Sequence, residues 1–212
     1  MRRNVSLLHW FVIALALALV AAAAVPVAVT WIESRQARDV RDMEPWTEAE
    51  QAGQGLTAVV FFSRSGNTAL AARHVARRLN ARLIALEAED YRLGIWGWVK
   101  AMRDARGEGA AIAPQMVDLD AFDTVYLGSP VWLYSPAPPI WSFVAHNRFD
   151  GKRVVLFNTF NSQFKPELIA EFEARVMENG ARSFKHLSVQ RGRMTQQLTP
   201  QEMLRAIDAE WF

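Results

Sequence analysis

Three hydroxyls, an amide and a glycine are gathered in the run Ser63-Arg64-Ser65-Gly66-Asn67-Thr68. A turn of this make-up aims backbone N–H groups and short side-chain donors at one point, which is the chemistry of holding a phosphate. It lacks the lysine and spacing of an NTP-binding P-loop, and it lacks G-x-G-x-x-G. A phosphate monoester held by neutral hydrogen bonds suits it better than a nucleoside triphosphate or a dinucleotide. Ser and Asn also cap ordinary helices, so taken alone the run admits that second reading.

Two further segments carry polar and aromatic groups in company. One is Gly128-Ser129-Pro130-Val131-Trp132-Leu133-Tyr134-Ser135-Pro136-Ala137-Pro138-Pro139. Its glycine lets backbone approach a ligand, and its prolines stiffen the loop. Trp132 or Tyr134 could stack on a planar ring, a contact worth about 1 kcal/mol beyond burial. Trp132 could equally be a core plug under a proline-rich loop. The other segment, Asn158-Thr159-Phe160-Asn161-Ser162-Gln163, offers amide and hydroxyl donors to the polar edge of a heteroaromatic ring, or forms a simple Asn- and Ser-rich turn.

The elements that would position these loops are legible on either side. Thr57-Ala58-Val59-Val60-Phe61-Phe62 is an apolar run of buried-strand type. Residues 69–79 place Leu70, His74, Val75 and Leu79 at helical spacing, with Arg73, Arg77 and Arg78 between them. Strand candidates follow at 82–86, 124–128, 153–158 and 183–189, and helical patterns at 140–145, 167–178 and 200–211. Gly180 stands where a helix C-cap is expected. Alternating β and α with apolar strands predicts a parallel sheet covered on both faces. Ligands of such sheets bind at the C-terminal ends of the strands. The loops after the first, third and fourth strands meet there.

Composition narrows the chemistry. Lys and Arg number 24 against 22 Asp and Glu, so no broad positive field favours nucleic acid. With no cysteine, disulfides, thiolate nucleophiles and cysteine-held metal centres are excluded. The four histidines, His9, His74, His146 and His186, lie far apart, and no metal site is expected.

From Ser6 to Ile32 there is no Asp, Glu, Lys or Arg, and Trp10 and Trp31 stand near the two ends. Such a stretch is long enough for a ~30 Å hydrocarbon core. An uncleaved anchor is expected over 6–32, although Arg2-Arg3 and the alanines at 21–24 also suit a signal peptide. Pro26 would kink the helix late. Residues 33–55 read as a juxtamembrane linker and 56–212 as the soluble domain. A bacterial-type inner membrane is expected. The flanking arginines Arg2, Arg3, Arg35, Arg38 and Arg41 nearly balance, so the side of the domain stays open.

In order, these loops resemble those of flavodoxin-like proteins. Strand–S-R-S-G-N-T–helix is similar to that family's FMN phosphate loop. D-T-V-Y-L-G-S-P-V-W followed by P-A-P-P-I-W-S-F resembles the G-x-P-[IV]-W loop of one branch, and G-K-R-V-V-L-F-N-T-F-N-S-Q falls where a third flavin loop is expected. The resemblance implies a doubly wound α/β fold, with five parallel strands in the order 2-1-3-4-5 behind one transmembrane helix, and FMN as cofactor. It also implies that Ser63, Ser65, Asn67 and Thr68, with the backbone around Arg64 and Gly66, hold the phosphate. Ser129 belongs to the second flavin loop, Pro130, Val131 and Trp132 would flank the isoalloxazine, and Asn158, Thr159, Phe160 and Asn161 would contact its other edge. The third loop lacks the glycines that relatives often carry there. Arg64 adds a cation that either pairs with the phosphate or turns to solvent. The domain is near neutral, so charge steering to a basic partner is not evident.

Residues 91–103 mix aromatics with Arg and Lys. They read as an amphipathic helix on the membrane interface, as a lid over the flavin, or as a helix packed on the domain with its Trp residues buried. No residue outside the loops declares itself a general acid or base, and a flavoenzyme need not have one. The leading expectation is a membrane-tethered FMN redox protein, either an electron carrier or an NAD(P)H- or quinone-dependent oxidoreductase. Its partners would be the membrane and a quinone, NAD(P)H or redox protein, with no nucleic acid. The alternatives are a specialised flavin enzyme such as a porphyrinogen oxidase, or a domain that keeps the fold without FMN.

Overall fold

The computed structural model describes residues 7–41, 43, 53–107, 109–192 and 197–212; Arg2-Arg3 and most of the segment after Arg41, Pro45 included, lie outside them. In chain order the elements are α1 (Leu7–Arg41), β1 (Thr57–Phe62), α2 (Asn67–Leu79), β2 (Arg82–Leu86), a 3-10 turn (Glu89–Tyr91), α3 (Ile95–Asp104), β3 (Thr124–Trp132), β4 (Ser135–Pro136), α4 (Pro138–His146), β5 (Arg153–Phe160), α5 (Pro166–Glu178), β6 (Ser183–Gln190) and α6 (Pro200–Trp211).

The main strands run parallel in the order β2-β1-β3-β5-β6, which is 2-1-3-4-5 when the short β4 is set aside. Strand β1 is buried on both faces, as its unbroken apolar run requires. One core joins Val60, Phe62, Trp132, Phe143, Leu156 and Phe172 under α3, α4 and α5. The second joins Val59, Leu70, Val75, Met203, Ile207 and Trp211 under α2 and α6. The start of α6 is fixed by Thr199 and Glu202, which bond each other's backbone N–H groups in a capping box.

Two elements differ from the sequence expectation. Strand β3 runs on to Trp132 and folds back through Leu133 and Tyr134 into β4, pairing Trp132 with Ser135. Pro130, Val131 and Trp132 therefore stand on a strand extension, because a two-residue hairpin lets β3 continue past the loop signals of Gly128 and Pro130. Both turn residues have positive φ, 43° and 77°, as a type I′ turn demands.

The second difference is in α1. Its 35 residues run without a break past Ile32 to Arg41, into the segment expected to be a linker. Glu33, Gln36, Ala37 and Val40 recur at helical spacing on one side, and that side packs on the domain, with Val40 buried in the second core. The apolar part of α1 is unburied, and α1 is long and apolar enough to cross a membrane.

Candidate functional site

At the C-terminal edge of the sheet lies an open cleft of about 190 Å³. Its first wall is the turn from β1 to α2. Ser63 Oγ accepts the Gly66 N–H at 3.2 Å and closes that turn. Gly66 has φ +90°, and a Cβ there would meet Val40 Cγ2 at 2.4 Å. Both the backbone conformation and the approach of α1 therefore require glycine.

No side chain caps α2, so the plain capping reading of this turn does not describe it. Two of its polar side chains are engaged elsewhere. Asn67 donates to Gln36 Oε1 at 3.3 Å and accepts from Arg191 Nε at 3.0 Å, while Thr68 Oγ1 and Thr159 Oγ1 lie 2.7 Å apart. An uncapped helix start presents N–H groups and the positive end of the helix dipole to an anion.

Of the residues singled out in the sequence, Arg64, Ser65, Asn67, Thr68, Pro130, Val131, Trp132, Thr159, Phe160 and Asn161 line the cleft. Ser63, Gly66, Ser129 and Asn158 do not. Ser129 and Asn158 are neighbours across β3 and β5 and fully buried. Ser129 Oγ accepts the Ala137 N–H at 2.9 Å, and Asn158 donates to the Ser129 carbonyl at 2.9 Å and accepts from His186 Nε2 at 2.8 Å. These polar groups fasten the sheet edge behind the cleft. Gly128 likewise serves packing, since a Cβ on it would meet the Phe157 ring at 2.4 Å.

Arg64 is not turned to solvent. Its guanidinium pairs with Glu33 of α1 and donates to the carbonyls of Tyr91 and Gly94, each at 3.1 Å. Trp132 matches the core reading and still reaches the cleft. It is a core aromatic, edge-on to Phe62 at 5.6 Å and to Tyr91 at 5.2 Å, and it also forms part of the cleft wall. Behind it the Tyr91 hydroxyl is pushed up to about 12, first by burial and then by Asp104, its acceptor at 3.2 Å.

Leu133, Tyr134, Ser162 and Gln163 of the two later loops also line the cleft, together with Glu33, Met102, Arg191 and Gly192, to which the sequence reading gave no part in binding. Arg191 bears most on the chemistry. It is buried one residue beyond β6, bonded to Asn67 and to the Leu198 carbonyl. Burial pushes its guanidinium below its ordinary value, with Asp39 opposing. An arginine stays charged even so, which leaves a desolvated cation beside the phosphate loop. Glycine turn, uncapped helix, hydroxyls and buried cation together fit a phosphate monoester.

The sequence model of the flavodoxin family, described as "Flavodoxin", matches residues 56–202. The chain matches none of the curated proteins with which it was compared. Among solved structures, it is similar to a protein from Bacteroides uniformis described as a flavoprotein, at 22% identity and a TM-score of 0.55 over 73% of this chain and 98% of that one. It is also similar to a Lactobacillus acidophilus flavoprotein in complex with FMN, at 18% identity and a TM-score of 0.50 over 61% and 91% of the two chains. The family match spans most of the domain, and the likeness in structure gives the same fold: this chain belongs to the flavodoxin family of FMN-binding proteins.

Proposed function

We propose that the protein is a membrane-tethered FMN redox protein whose cleft exchanges electrons with a quinone-like acceptor. The observation that carries this reading is the continuity of α1. One helix joins an unburied apolar stretch to Glu33 and Gln36, which touch Arg64 and Asn67 of the phosphate loop. Quinones reside in the bilayer, so a tethered cleft would meet them there.

Family membership supports FMN as the cofactor, and the Lactobacillus relative is a complex with FMN. In this reading Ser65, Thr68, the α2 N-terminus and Arg191 hold the phosphate, while Pro130, Val131, Trp132 and Phe160 wall the ring and exclude water. Bound FMN would supply the one- and two-electron chemistry. Tyr91 stays protonated and bonded to Asp104 behind Trp132, so it serves packing and not proton transfer.

The test is flavin content followed by turnover. Full-length protein purified in detergent should be yellow, bleach with NAD(P)H and regain colour with a quinone. Protein that is colourless and takes up no added FMN overturns the reading. Yellow protein that no NAD(P)H bleaches would instead be a carrier fed by a protein donor. Replacing Ser65 and Thr68 together with leucine should abolish flavin retention; unchanged flavin content would remove the phosphate-loop assignment.

A further inference from the structure

We propose that the outer face of α3, with Leu93 just before it, lies in the headgroup–acyl boundary of the bilayer, docking the domain against the membrane. This rests on the reading of α1 as a bilayer anchor. Trp96 is 85% exposed, and Leu93, Ile95 and Val99 are 40%, 40% and 43% exposed. Ile95, Trp96 and Val99 share one helical face by spacing. The opposite face is committed to the domain, with Ala101 and, just past the helix, Ala105 buried, while Met102 at the edge of the patch packs on the core and lines the cleft.

The height of this patch along α1 is fixed by hydrogen bonds. Arg64 pairs with Glu33 and, from the same guanidinium, reaches the carbonyls of Tyr91, Arg92 and Gly94. Glu33 is the first charged residue after the uncharged stretch ending at Ile32, and the exposed Trp31 precedes it. The turn that starts α3 is therefore clamped to α1 where the apolar span ends. An anchor helix that crosses the hydrocarbon holds Leu93, Ile95 and Trp96 at headgroup depth, where Trp side chains are favoured.

The charges around the patch specify the kind of contact. Arg92 pairs with Glu89, Lys100 with Asp90 and Asp104, and Arg103 with Asp104. The cations flanking the patch are matched by carboxylates, so docking rests on apolar side chains and has little call on anionic lipid.

The chain has no cysteine, so single-cysteine variants of the full chain can each carry one environment-sensitive fluorophore. In phosphatidylcholine vesicles, label at Trp96→Cys should lose most of its emission to a nitroxide held at shallow depth. Val99→Cys, which keeps Trp96, should behave the same way. Leu17→Cys should respond to a deep nitroxide. Glu178→Cys, on the exposed end of α5 beside the segment that bonds Phe149 ahead of β5, should respond to neither. Phosphatidylglycerol or high salt should leave the Trp96 signal unchanged. If Leu17 is quenched while positions 96 and 99 are not, the docking proposal falls and the anchor stands. If Leu17 is unquenched, both fall. Signals at 96 and 99 that appear only with anionic lipid would also overturn the apolar contact proposed here.

Discussion

On one flank of the phosphate loop, Arg64 turns onto α1 and meets Glu33; on the other, Arg191 reaches back from the end of β6 to Asn67. Both guanidinium groups are buried, yet their surroundings give them different work. Arg64 has a carboxylate partner, so its charge is cancelled locally and the pair joins α1, the loop and the start of α3. Arg191 bonds an amide and a backbone carbonyl, and burial acts against its charge. The arginine inside the motif thus ties α1 to the loop, and the one outside it keeps a buried cation beside Asn67. A cation's position in a sequence motif does not establish that it serves the ligand; its counter-ion does.

The contrast breaks most severely at Glu33. Glu33→Gln removes a buried carboxylate from Arg64, a change that costs about 3 kcal/mol. Arg64 retains its carbonyl acceptors, which keeps the cost at the low end. Denaturant melts of the full chain in detergent should show this loss, with FMN affinity of the folded protein changed less than about tenfold. Glu33→Leu with Arg64→Met should recover part of the stability, since an apolar pair removes the buried charge altogether. A single-mutant loss below about 1 kcal/mol would mean that the pair behaves as a solvent-exposed one.

Arg191→Gln should do the reverse. It keeps a donor for Asn67 but removes the cation, and a hydrogen bond to a charged group contributes about 1.5–3 kcal/mol. FMN affinity should fall by about 10- to 100-fold, read by titrating flavin fluorescence into apoprotein, with a smaller effect on stability than Glu33→Gln. Equal affinities in wild type and variant would end the assignment of Arg191 to the phosphate.

The residues behind this contrast were unequally legible. The sheet order and the Ser63–Thr68 turn could be read directly, because apolar strands and a hydroxyl-rich strand–helix turn are local signals. Arg191 follows an ordinary strand with no motif around it, and its meaning comes from the fold bringing β6 beside α2. Charge made the residues after Ile32 look like linker, although Glu33, Gln36, Ala37 and Val40 already recur at helical spacing. Ser129 and Asn158 differ in the other direction. Their polar side chains suggested a ligand, but the β3–β5 register turns them into the protein.

The ring end of the cleft extends the comparison, since there the backbone and not charge is under tension. Leu133 and Tyr134 occupy a left-handed turn that favours Asn and Gly, at about 1 kcal/mol for each strained residue. Leu133→Asn with Tyr134→Gly should therefore raise stability by about 1 kcal/mol, after loss of the Lys165 contact 5.7 Å over the Tyr134 ring. Flavin affinity should fall, because both side chains line the cleft. A double variant that loses stability would show that the two side chains contribute more packing than their backbone costs.

The smallest effect is expected at His186, behind the cleft. Its ring lies edge-on to Phe164 at 4.9 Å and donates from Nε2 to Asn158 Oδ1, since an amide oxygen can only accept. Burial lowers its pKa, so the native state keeps the ring neutral at a pH where the unfolded chain already binds a proton. The unfolded state then carries the extra proton, and stability rises with pH in that window. This contribution is complete above the unfolded value of about 6.5 and is lost as pH falls from there toward the folded value. His186→Gln retains a donor for Asn158 without a titrating group, so its stability should decline less steeply below about pH 6.5. If both proteins show the same slope, the ring is solvated enough to titrate normally, and the Asn158 bond does not depend on a neutral imidazole.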